Sequence, residues 1–182
     1  TRPGVFLEHS HRLFGAMVGL TTLVLVIYTF VSGEKRLYVK IWAICLLILV
    51  IAQGVLGGVR VTNQSAGLAL IHGITAQVFF ALTVAFAAIT STLFKSPLPK
   101  GGTSVYRTKV VCTAFLHITA LQLIFGAIYR HFRQPHAMYA HIAFSLLVVL
   151  FAILSGFEFR SMLEKVDGEQ WNRARAMLRR LG

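Results

Sequence analysis

His11, His72 and His141 are the residues whose chemistry most needs an explanation, because each stands in or at the edge of a long apolar run. An imidazole in such a setting is costly to leave unpaired. Its usual uses there are metal ligation, proton transfer or an interhelical hydrogen bond. The three share a local pattern: four residues after each comes a small side chain, Gly15, Ala76 and Ser145. On a helix that residue lies one turn along the same face, which leaves space for something flat and wide beside the ring. One such histidine is as well explained by a hydrogen bond as by ligation; three at a common depth favour ligation. Ahead of the first, the stretch FLEHSHRLFGAM puts Glu8 three residues before His11 and Arg12 directly after it. A carboxylate there could move a proton or stabilise developing positive charge. It could also be a helix-end charge on the macrodipole.

The donor set narrows the ligand. Zinc draws three or four protein donors, with Cys, Asp or Glu common among them. Only Glu8 is near, and Cys45 and Cys112 lie within other apolar runs. A relay of protons would use carboxylates inside the runs, where the sequence has none. Neutral imidazoles brought from different helices, with small residues beside them, suit haem iron. Arg12, Arg60, Arg130 and Arg133 fall at the same rim as the histidines and could meet propionates, although lipid headgroups explain each one singly. His117, in mid-run, reads as a packed, hydrogen-bonded core residue, and His9, His131 and His136 as solvated helix ends. Gln53 and Gln122 read as hydrogen-bonding groups where Gly57–Gly58 and Gly126–Ala127 let two helices approach.

Positioning these residues requires spanning helices. Of 182 residues, 56% are hydrophobic, which points to an integral membrane protein. Five runs reach the length of about 20 residues that a bilayer requires: roughly 11–32, 39–61, 66–94, 108–130 and 137–158. The third is the longest and is expected to tilt. The net charge of +12 would suit nucleic acid in a soluble chain, but here the basic residues fall in the linkers. Lys35, Arg36, Lys40, Lys95, Lys100, Arg107, Lys109, Arg160, Lys165, Arg173, Arg175, Arg179 and Arg180 share one side. Arg2, Arg12, Arg60, Arg130 and Arg133 share the other. The positive-inside rule then puts the N-terminus outside and the C-terminus in the cytoplasm or matrix, in a bacterial plasma membrane or mitochondrial inner membrane. The expected partner is the lipid bilayer and not nucleic acid. Around 168–182, Trp171, Ala174, Met177, Leu178 and Leu181 share a helical face, as in an interfacial helix or the lead-in to another span.

The fold class is therefore all-α, a polytopic transmembrane bundle of about five spanning helices. Its helix pairs repeat internally. Gln53 precedes His72 by 19 residues and Gln122 precedes His141 by the same spacing, while Gly57 maps onto Gly126. A Gln, a Gly and a His in one register across two helix pairs is a repeat rather than general apolar likeness.

These stretches resemble the haem A synthase family of cytochrome-oxidase assembly. EHSHRLFG is similar to that family's Glu-x-x-His-Arg motif, and QGVLGGVRV, IHGITAQVFFAL and LQLIFGAIYRH resemble its further signatures in the same order, over nearly all of residues 5–158. The resemblance implies an eight-helix protein of two similar four-helix halves, of which this chain covers the second to sixth helices. Residues 1–94 would be the remainder of the N-terminal half, 95–107 a cytoplasmic linker, and 108–182 the start of the C-terminal half with a basic tail. It implies His11 and His72 as the histidine pair of the N-terminal half, Glu8 as its catalytic acid and His141 as the first ligand of the second pair, whose partner would lie after Gly182. The cysteine pair that some members carry in the first outer loop is absent. The implied activity is oxidation of a haem O methyl group to the formyl group of haem A. The implied cofactors are haem b and iron, with haem O synthase a candidate partner and the electron donor open. Two rivals stand beside it: a b-type cytochrome that only carries electrons, and an assembly scaffold without haem.

Overall fold

The computed structural model describes residues 3–91 and 102–165, together with Asn172 and Ala176. Among these residues the secondary structure is entirely α-helical. The helices are α1 (Pro3–Val31), α2 (Leu37–Thr62), α3 (Ala66–Thr90), α4 (Thr103–Phe132) and α5 (Pro135–Lys165). All five are long and apolar enough to cross a bilayer. Their large side chains also face outward, with Val31 75%, Leu146 72% and Phe157 68% exposed. That surface would be untenable in water and matches lipid. The chain is an integral membrane protein with the all-α bundle architecture its sequence implies.

Helix lengths depart from the apolar runs in an instructive way. α1 starts at Pro3 and α5 at Pro135, where a missing N–H costs nothing and φ is already helical. Glu8 and His9 therefore lie within α1, not ahead of it. α5 continues through Glu158, Arg160, Glu164 and Lys165 to 31 residues, because backbone hydrogen bonding does not end where hydropathy does. α3, whose run was expected to be the longest, is the shortest at 25 residues. It stops where Ser91 turns extended (φ −65°, ψ 157°) and its N–H returns to Ala88. Lys95, Lys100 and most of the tail from 166, including the apolar face read there, lie outside the described residues.

The contacts divide the chain into Thr1–Ser91 and Thr92–Gly182. In the first unit, α2 packs against both α1 and α3, while no Cα of α1 comes within 8 Å of one in α3. The packed core lies at one end: Val39, Ala43, Leu46 and Phe86, bordered by Leu25, Val26, Trp42, Phe79, Leu82 and Ile89. These come from the start of α2 and the ends of α1 and α3, the end opposite His11 and His72. Arg36 ties that end together, pairing with Glu34 at 2.7 Å and donating from Nη1 to the Ile89 carbonyl at 3.0 Å. At the histidine end, Asn63, Gln64 and Ser65 turn the chain, with Gln64 at φ 48° and the Ser65 hydroxyl accepting from Leu68 N–H.

In the second unit α4 and α5 pack along each other. Arg133 (φ 55°) ends α4 in the left-handed conformation, its N–H returning to Tyr129, and Pro135 opens α5. At the opposite end Arg107 pairs with Glu158 at 2.5 Å, and the buried Thr108 hydroxyl donates to the Glu158 carbonyl at 3.2 Å.

Candidate functional site

His11 comes from the third turn of α1 and His72 from the second turn of α3. Their ring centroids stand 6.4 Å apart, with the ring planes at 87°. No Cα of one helix comes within 8 Å of the other, so the rings reach toward each other across a gap. Space beside the first ring is open: a Cβ added at Gly15 would meet nothing within 4 Å.

His72 is seated by α2. A Cβ on Gly57 would lie 3.1 Å from its Cε1, so the ring rests on the bare backbone of that glycine. One end of the buried Gln53 amide lies 2.8 Å from His72 Nδ1, and the amide also meets the Thr75 hydroxyl. Set nitrogen-first, the amide donates to His72 Nδ1 and its oxygen accepts from Ala76 N–H at 3.0 Å, so the polar groups of the pair are satisfied.

His141 is likewise seated against a glycine in the second unit. Its Nδ1 lies 3.0 Å from the Gln122 carbonyl oxygen, so Nδ1–H donates and Nε2 carries the lone pair. A Cβ on Gly126 would stand 2.7 Å from Cε1 and 2.9 Å from Nδ1. The side chains of the two glutamines differ in use. Gln53 is bonded to Thr75, whereas Gln122 Oε1 is buried without a partner among the described residues. At the position corresponding to Thr75 stands Phe144, stacked on Phe125 at 5.2 Å.

Glu8 and Arg12 pair with each other at 2.7 Å, one turn apart on α1, with side chains 54% and 66% exposed. Arg60, in the last turn of α2, has a buried Nε without a partner among the described residues, and its charge bears on His72. That donor lacks an anionic acceptor of the kind a carboxylate supplies. His117 departs from the sequence reading: it is exposed, and its Nδ1–H donates to Thr113 on its own helix at 2.8 Å. The periodicity of α4 could not tell its packed face from its bare one. Cys45 and Cys112 are free and exposed.

Among the described residues no three His, Cys, Asp or Glu side chains gather as a metal cage. An ion held by protein donors alone would lack ligands there. A porphyrin brings four nitrogens of its own and asks for one or two axial ligands, which His11 and His72 can supply. The chemistry of the donors, the gap between α1 and α3, and the unpartnered Arg60 Nε fit such a group. Sequence reasoning took Gly57 and Gly126 for sites of helix–helix approach. It missed that each faces a histidine ring; the signal was present in the shared spacing of 15 residues between Gly57 and His72 and between Gly126 and His141.

Known proteins share this pattern. Over 88 residues the chain is 33% identical to the haem A synthase of an Exiguobacterium species, a stretch that is 46% of this chain and 29% of that protein. The chain thus matches less than a third of the length of this curated relative. No solved structure matches it. The family model COX15-CtaA, described as cytochrome oxidase assembly protein, matches residues 2–139, taking in Glu8, His11, Gly57, His72 and Gly126 and stopping two residues short of His141. The chain belongs to that family of cytochrome oxidase assembly proteins.

Proposed function

We propose that this chain carries the haem-binding part of a haem A synthase-like membrane oxidoreductase, in which His11 and His72 would hold the substrate haem. Supporting this is one observation above others: two imidazoles from separate spans meet at 6.4 Å while their helices stay apart. On this reading the first unit takes haem O, and a ring methyl group is oxidised to a formyl group by way of hydroxylation. His141 is a ligand of a second, b-type haem. The iron supplies the redox chemistry when bound. The residues of the chain hold the macrocycle, keep it beneath the outer leaflet and present charge at its edge.

Glu8 is the catalytic group in this proposal. It lies one turn before Arg12 and just before His11 on α1, at the rim of the gap, where a carboxylate can accept a proton or stabilise positive charge as the methyl carbon is oxidised. Arg12 and Arg60 are the groups for the propionates. The charge distribution supports an N-terminus outside and a C-terminus in the cytoplasm or matrix.

The Glu8–Arg12 ion pair favours a second reading, a b-type cytochrome that carries electrons and performs no chemistry on its haem. In that case Glu8 only neutralises Arg12. The discriminating experiment is Glu8→Ala in the full-length protein, assayed for haem content and haem A product. Haem retained with haem A abolished supports the enzyme with Glu8 in its chemistry; haem A formed at the wild-type rate by the variant removes Glu8 from that role, and wild-type protein that binds haem but forms no haem A assigns the electron carrier.

A further inference from the structure

The two histidine seats each rest on a glycine, and neither is explained by ligation alone. Within an α-helix the carbonyl of residue i accepts the N–H of residue i+4, so the Gln53 carbonyl faces Gly57 N–H and the Gln122 carbonyl faces Gly126 N–H. Each carbonyl has a second lone pair. The ring of His141 uses that lone pair at 3.0 Å, whereas His72 Nδ1 lies 2.8 Å from the Gln53 side-chain amide. A ring can reach a carbonyl inside a regular helix only from close against its surface, where a Cβ one turn on would stand in its path. Gly126 would place that Cβ 2.7 Å from Cε1 and Gly57 would place it at 3.1 Å. A chance contact would have no reason to recur in the same register, 69 residues apart.

We propose that Gly57 and Gly126 are positioning residues for the haem ligands. Each removes its side chain so that the next helix's imidazole can lie against the helix backbone; in the second unit this lets His141 donate Nδ1–H to a helical carbonyl, which leaves its Nε2 unprotonated for the metal. This rests on the reading that haem is the ligand, but the seat can be measured without haem. The backbone carbonyl supplies the acceptor, so the Gln122 side chain is dispensable to it. Gly58 is the internal control. It neighbours Gly57 on α2, and a Cβ there meets nothing within 4 Å.

The test uses the whole chain in detergent with Gly57→Ala, Gly126→Ala and Gly58→Ala. The first readout is nitrogen NMR of labelled histidine in haem-free protein. Gly126→Ala is expected to remove the Nδ1–H signature of His141, Gly57→Ala to shift the ring-nitrogen signals of His72 as its seat closes, and Gly58→Ala to leave both unchanged. The second is titration with haem b. Gly57→Ala is expected to weaken binding about 10- to 100-fold, the range for lost support of a metal ligand, with added imidazole restoring a low-spin spectrum that a misfolded chain would not recover. Unchanged ring-nitrogen signals in both seat variants overturn the proposal, as does an equal loss of haem in Gly58→Ala. If wild-type protein binds no haem while the seat variants still alter those signals, the seat stands and the haem reading fails.

Discussion

Glu8 shows how little a side chain's position says until its neighbours are known. Within α1 its carboxylate meets Arg12 at 2.7 Å with both groups largely exposed, and such a pair contributes roughly 0.3–0.5 kcal/mol. Glu8→Ala and Arg12→Ala are therefore expected to leave thermal unfolding in detergent within about 1 kcal/mol of wild type. A loss of haem A formation in Glu8→Ala could then not be blamed on unfolding; a large fall in the melting temperature would refute this separation. Gln53 is the opposite case. Its amide is buried and bonded to Thr75 and the His72 region, so Gln53→Leu is expected to cost about 1 kcal/mol.

At the scale of elements, the caps and end contacts decide where the histidines stand. Ser65 caps α3 seven residues before His72, its hydroxyl accepting from Leu68 N–H at 3.3 Å. Ser65→Ala is expected to cost about 1 kcal/mol, read as faster hydrogen exchange in the first turns of α3, with α2 unaffected. Exchange that rises equally in both helices would show that the cap is not a local device. In the second unit Thr108 is buried between Ser104 and Glu158 carbonyls at 2.9 and 3.2 Å. Thr108→Val should loosen the α4–α5 end remote from His141 by about 0.6 kcal/mol, a typical interhelical bond in a membrane protein. Gly33, at φ +74° in the α1–α2 turn, is the position where a side chain would be strained whatever the space around it. There Ala costs ~1–2 kcal/mol.

Over the whole molecule, the first unit brings two histidine rings together, and the second seats His141 on the Gln122 carbonyl. Purified chain loaded with haem is expected to show a bis-imidazole, low-spin spectrum that His11→Ala and His72→Ala each abolish and His141→Ala leaves in place. Loss of that spectrum only in His141→Ala would reassign the ligands. The five spans, the repeat and the family were legible in the residues, because apolar length, a 69-residue register and the EHSHRLFG motif are local properties of a chain. Helix ends were less so: α1 and α5 outrun their apolar cores, since hydrogen bonding and proline starts set ends that hydropathy does not. His117 was read as packed and is bare, because a helix apolar on all sides does not reveal which face meets a neighbour. The sequence by itself determined that imidazoles stand in or at the edge of apolar helices, for that follows from counting residues along the chain. Only the tertiary structure decided that the rings of His11 and His72 come within 6.4 Å while their helices stay apart, and that Gly57 and Gly126 face His72 and His141, because side-chain direction depends on how helices rotate against one another.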